Sequence, residues 1–126
     1  MKTFIFCTID GFKRALDFKG RTRRRNHWLF AVGAYLTYLI SFFVSALIMR
    51  LLIVFDTGTI DTFFAWVLTA FSILVLIFCL VAYVSSVIRR IHDSGKSGWF
   101  YLVPFYNFYL LVRKGELEPN KWGDPN

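Results

Sequence analysis

Two stretches of this chain contain no Asp, Glu, Lys or Arg: Trp28 to Met49, 22 residues, and Thr62 to Ile88, 27 residues. At about 1.5 Å per residue, either stretch as a helix crosses a hydrocarbon core of about 30 Å. A buried helix of a soluble protein that long would keep a polar stripe, and neither stretch has one. Composition agrees, because 56% hydrophobic and 20% aromatic residues in a 126-residue chain exceed what one small domain can bury in its own core. The excess must face lipid. The expected fold is therefore all-α: a single membrane domain over residues 1–126, built on an integral membrane helical hairpin with transmembrane helices over 28–54 and 62–88.

Charge along the chain orients that hairpin. Residues 1–27 hold eight Lys or Arg against two Asp, the loop from Arg50 to Asp61 holds one against two, and Arg89 to Gly98 holds three against one. Basic residues in short flanking segments are retained in the cytoplasm, so the expected topology puts the N-terminus and the 89–98 loop inside and Asp56 and Asp61 outside. The net charge of +7 then gives the inner face a positive field for anionic headgroups, at about 1 kcal/mol per basic residue near the surface. Trp28, Trp66 and Trp99 stand where interface anchors belong. In the outer loop, Gly58 supplies a turn and Asp61 a candidate N-cap.

Two shorter segments complete the plan. Ile5, Ile9, Phe12 and Leu16 recur at helical spacing, predicting an amphipathic helix in the cytoplasmic interface that Gly11 weakens. Residues 99–112, "WFYLVPFYNFYLLV", reach only about 21 Å as a helix and are interrupted by Pro104 and Asn107. A crossing would also carry Arg113 and Lys114 to the wrong side. A short aromatic third helix, interfacial or re-entrant, is expected, with the tail 113–126 in the cytoplasm. The first stretch begins behind a dense basic cluster and lacks a small-residue cleavage pattern, so a removable signal peptide is not expected.

"RRIHDSGKSGW", Arg89 to Trp99, contains the SGKS of many phosphate-binding loops, but Arg90 stands where that motif needs its first glycine and no strand precedes it. Ser94, Gly95 and Gly98 are read instead as the end of the second membrane helix, with Gly95 a candidate C-terminal cap. Arg89, Arg90, His92, Asp93 and Lys96, with Arg21 and Arg24 of "GRTRRRNHW", are the candidate residues for gripping an anionic headgroup or other ligand, Asp93 orienting His92. The plainer reading makes the arginines orientation signals at a helix end. No nucleophile stands at a telling distance from His92, and no cluster has metal-ligand spacing, so neither catalysis nor a metal or cofactor is expected. Cys7 and Cys79 read as small apolar residues. Arginines directly before a membrane span read as lipid contacts, with no nucleic-acid partner expected.

Within the spans, Gly33, Thr37, Ser41 and Ser45 repeat every four residues, and Ala65, Ser72, Cys79 and Ser86 every seven. Small residues let backbones approach and hydroxyls bond across, so these two faces are expected to meet, or to meet a second copy or another membrane protein. Neither span has an ionisable residue, which disfavours a coupled carrier. A subunit of an oligomeric channel is the main alternative to a lipid- or partner-binding component, and an enzyme acting on headgroups the weaker one.

Three blocks together resemble one bacterial inner-membrane family, catalogued as domain of unknown function 805. "FKGRTRRRNHWLF", Phe18 to Phe30, is similar to its opening F-x-G-R-x-x-R-x-x-[YF]-W-x-F motif; "RRIHDSGKSGW" to its R-R-[LI]-H-D-x-x-x-S-G-W motif; and "NKWG", Asn120 to Gly123, to its closing N-[RK]-[FYW]-G. The resemblance covers residues from about 12 to 126. It implies signature roles for Gly20, Arg21, Arg24, Trp28, Arg89, Arg90, His92, Asp93, Ser97, Gly98, Trp99, Asn120 and Gly123. His27 departs from the pattern, standing where an aromatic residue is usual.

Overall fold

A computed structural model describes residues 3–54 and 59–124, with 59–61 described as backbone. The described residues form four α-helices and no strand: α1 (Phe4–Lys13), α2 (Arg24–Val54), α3 (Thr59–Asp93) and α4 (Tyr106–Val112), with a 3-10 turn at Gly98–Leu102 before α4. The two long helices are the expected hairpin and pack on each other along their length. At 31 and 35 residues they run about 46 and 52 Å, so both extend well beyond a bilayer core of about 30 Å. Helix α2 starts four residues before the uncharged stretch, and α3 ends five residues after its own.

Among the described residues, those outside the hairpin gather at one end. Helix α1 lies across the start of α2, where Gly11 lets it close: a Cβ there would sit 2.0 Å from Phe30 Cδ2. The glycine that weakens an isolated helix is what allows this one to dock. Phe12 packs edge-on against Phe30 and stacks on Phe78, joining a small core of Ala15, Phe30, Ala34 and Ala82. Ile5, Ile9 and Leu16 remain exposed, while Phe12 of the same expected face is drawn into the core.

Residues 99–112 are not one short helix. The chain turns at Pro104, where the Tyr106 N–H bonds Pro104 O across Phe105 at φ +63°, a tight γ-turn in the left-handed region. Phe105, 92% exposed, is the tip of the resulting loop. Both arms return to the end of α3, where Leu110 and Leu111 pack on Val87 and Ile91 with Tyr83, Tyr101 and Tyr106 around them. The segment therefore folds back onto the end of α3 from which it departs.

The small-residue faces meet only in part. Ser72 Oγ donates to Ser45 Oγ at 3.1 Å, joining α3 to α2, and Cys79 is buried beside the groove that Ala31 and Ala34 line. Gly33, however, receives α1: a Cβ on it would meet Thr8 Oγ1 at 2.1 Å, so it serves a third helix and not the hairpin. Thr37 turns its hydroxyl back to Gly33 O, and Ser41 Oγ has no hydrogen-bond partner. Ala65 is half-buried and Ser86 faces His27. Ser72→Leu is accordingly expected to lower thermal stability in detergent by about 1–3 kcal/mol through overpacking, and Ser72→Ala by about 0.6 kcal/mol. Equal melting of Ser72→Leu and the parent would remove the Ser45–Ser72 contact from the account of the hairpin.

At the far end, α3 begins at Thr59, so Asp61 lies in its first turn instead of capping it, while Gly58 lies outside the described residues. Trp28, Trp66 and Trp99 are all exposed at the two ends of the hairpin, as anchors require.

Candidate functional site

The last turn of α3 is the centre of the gathered end. It closes with two bonds past its final residues, Gly95 N–H to His92 O at 3.0 Å and Lys96 N–H to Ile91 O at 3.4 Å, with Gly95 at φ +72°. This is the Schellman arrangement, which needs a residue at ease in the left-handed region. Around it stand three arginines with almost no exposed surface: Arg21, Arg89 and Arg90.

Each of the three donates to backbone carbonyls at the end of a short helix or in the tail. Arg89 reaches the end of α1, donating to Arg14 O at 2.6 Å and to Asp17 O, and it also bonds Ser85 Oγ and Thr22 Oγ1. Ser85, which the sequence reading passes over, adds its hydroxyl to the same two carbonyls at 3.1 and 2.7 Å. Arg90 does the equivalent for α4, donating to Leu111 O at 3.3 Å and to Arg113 O, while Ser94 Oγ serves Leu110 O and Arg24 serves Val112 O. Helices of 10 and 7 residues are too short to stand alone, and cations at their negative ends help hold them. Arg21 binds the tail, donating to Glu118 O at 2.9 Å, Gly123 O at 3.2 Å and Glu116 O.

Asp93 supplies the compensating charge. Its two carboxylate oxygens divide between Arg21 Nε at 3.0 Å and Arg90 Nη1 at 2.8 Å, with the arginine side chains 0% exposed and Asp93 at 7%. The backbone closes over it as well: Glu116 N–H donates to Asp93 O at 2.8 Å, and a Cβ on Gly115 would lie 1.9 Å from Asp93 Oδ2.

His92 is placed differently from the expectation that Asp93 orients it. Its ring stacks on Trp122 with centroids 3.6 Å apart and 4° between planes. Asn120 carries this contact, donating through Nδ2 to His92 O at 3.1 Å and accepting the Trp122 N–H on Oδ1 at 3.0 Å. Gly123, at φ +115°, exchanges two backbone bonds with Asn120 and closes the turn that presents Trp122. The headgroup-gripping set thus divides. Arg21, Arg89, Arg90 and Asp93 form an internal knot; Arg24 and Lys96 remain on the exposed rim.

A family model described as Protein of unknown function (DUF805) matches residues 15–124. The chain belongs to this family. The match begins beside the α1 carbonyls that Arg89 receives and ends just beyond the Asn120–Gly123 turn, so it encloses the whole knot. No curated protein and no solved structure matches the chain. The family blocks that lie far apart in sequence, around Arg21, Arg90 and Asn120, are three sides of one structure at the end of α3.

Beside the knot lies a cavity of about 560 Å³ between α1, the start of α2 and the end of α3. Arg14, Arg21, Arg23, Arg25 and Arg89 line it with Asn26 and a single carboxylate, Asp10. Arg21 and Arg89 were candidates from sequence; Arg14, Arg23, Arg25, Asn26, Asp10 and Cys7 were not. Their signal was available in the density of arginines, but which of them share a cavity depends on how α1 docks. Arg14 is paired to Asp17 by two bonds, at 2.9 and 2.7 Å. Burial would raise the Asp17 carboxyl, yet the Arg14 hydrogen bond, the Lys19 N–H and the charges of Arg14 and Arg89 together hold it below the usual carboxylate value. Helix α2 opens on this cavity with basic side chains and no acidic residue in its first turn. Cations there oppose the helix dipole, each by about 0.3–1 kcal/mol.

Proposed function

We propose that this protein is a non-enzymatic component of the bacterial inner membrane, with its N-terminus cytoplasmic, that binds anionic lipid headgroups through the basic rim around the α3 knot. The observation that carries the reading is the sorting of arginines and lysines by burial. Those of the knot hold short helices and tail, while Arg23, Arg24, Arg25, Lys96, Arg113, Lys114 and Lys121 stand exposed at the same end of the hairpin. Exposed cations set at headgroup level beside a membrane span attract anionic lipid. The positive side of short-loop proteins is the cytoplasmic one, and among the described basic residues only Arg50 lies toward the opposite end. Asp93 is paired with arginines and His92 is stacked on an indole, and this arrangement supports a structural and not a catalytic use of both.

Native mass spectrometry of the full chain, released from detergent with equal amounts of phosphatidylglycerol, cardiolipin and phosphatidylethanolamine, tests this. Retention of the anionic lipids is expected, weakened by added salt and by Arg113→Gln with Lys114→Gln. Equal retention of phosphatidylethanolamine would overturn it.

A further inference from the structure

The exposed rim describes attraction to a surface; the cavity under α1 describes something more local. Five guanidinium-bearing side chains and one carboxylate line it, and the opening turn of α2 contributes backbone N–H groups that have no partner inside the helix. The first bond within reach of that turn is His27 N–H to Arg23 O. Arginines at the positive end of a helix are a poor electrostatic choice for the helix itself, and a bound anion removes the conflict.

We propose that this cavity is a discrete site for one phosphate-bearing anion, held by Arg23 and Arg25 with Asn26 and the start of α2, against the wall formed by Arg14 and Arg89. The proposal rests on the lipid reading only so far as a headgroup is one source of that phosphate. Guanidinium forks match phosphate oxygens in pairs, and a phosphate, with more oxygens than the two of a carboxylate, can engage several forks at once. A volume of about 560 Å³ accommodates a phosphate with a glycerol-sized substituent. Asp10 is placed to accept a hydroxyl or ammonium hydrogen from such a substituent. Arg14 and Arg89 are already fixed, by Asp17 and by the α1 carbonyls, so they present a set wall instead of one that must be ordered on binding.

The cavity carries its own reporter. Cys7 lines it, buried at 4% exposure, and bonds Asn26 Oδ1 through Sγ, so its alkylation reports the opening of α1 over the cavity; the second cysteine, Cys79, is also buried, between the long helices, and is removed as Cys79→Ala. In the detergent-solubilised Cys79→Ala protein, maleimide alkylation of Cys7 is expected to slow saturably as inorganic phosphate or dioctanoyl phosphatidic acid is added at constant ionic strength. At about ten times the probe's Kd the rate should fall about tenfold. Slowing by inorganic phosphate identifies a free anion as sufficient; slowing by the lipid alone identifies the headgroup. Arg23→Gln with Arg25→Gln, both exposed and outside the knot, should abolish the protection and leave melting in the absence of phosphate at or slightly above the parent value. Protection by neither probe, or equal protection of this double variant, would overturn the site. Loss of anionic-lipid retention in Arg113→Gln with Lys114→Gln, with Cys7 protection intact, separates the rim from the cavity. Anionic-lipid retention by the parent without any protection of Cys7 leaves the rim standing and removes this proposal.

Discussion

Asp93→Ala is expected to be the most destabilising single substitution in the chain, by about 3–5 kcal/mol, because it leaves two guanidinium groups buried with no carboxylate between them. The cost comes from the partners left behind more than from the lost attraction, since Arg21 and Arg90 are both 0% exposed and cannot turn to water without releasing the carbonyls they hold. Thermal unfolding in detergent, followed by tryptophan fluorescence, measures it. Asp93→Asn retains hydrogen-bond capacity but not charge, so an intermediate loss is expected. Limited proteolysis supplies a local readout: cleavage after Lys121 should accelerate in Asp93→Ala because the tail is fastened through Arg21. A melting temperature equal to the parent's, with unchanged cleavage, would show that the knot is not what holds this end together.

The second large effect belongs to Gly11→Leu. Even the first carbon of the new side chain would fall 2.0 Å from the Phe30 ring, and Phe30 is itself buried against Phe12 and Ala15. Helix α1 must then lift away. Each 1.4 kcal/mol lost from docking raises the open population about tenfold, and overpacking of this kind costs about 1–3 kcal/mol, so Cys7 alkylation is expected to rise about 5-fold to 150-fold. Adding Phe30→Ala should restore part of the protection by opening space for the leucine. If Cys7 reacts at the parent's rate in Gly11→Leu, α1 does not dock on α2 as described.

The sequence made the hairpin plain because lipid imposes a single, long-range demand: no charge for the width of the membrane. Turn residues at the end of α3 were equally plain, since Gly95 answers a local backbone requirement. The shortness of the third segment was legible, but its division at Phe105 was not, because a γ-turn at an aromatic residue follows from where both arms attach. The arginines were read as facing outward because burial of a guanidinium depends on distant carbonyls that no local pattern announces. Gly33 shows the same limit on a smaller scale. Its spacing with Thr37, Ser41 and Ser45 pointed to the hairpin partner, and only the docking of α1 reveals that Thr8 takes the place beside it. Likewise Asp93 stands next to His92 in sequence, yet successive helical residues do not face each other, and each found its partner elsewhere.

The fastening of Arg21 has a consequence in time as well as in space. Its carbonyl partners Glu116, Glu118 and Gly123 lie 95, 97 and 102 residues further along the chain. At about 5–20 residues per second, synthesis keeps this cation waiting on the order of 5–20 s before its acceptors exist. During that interval the hairpin can already occupy the bilayer, but its charged end has no finished interior. A nascent or shortened chain therefore presents Arg21 without its tail carbonyls, and the finished fold buries it.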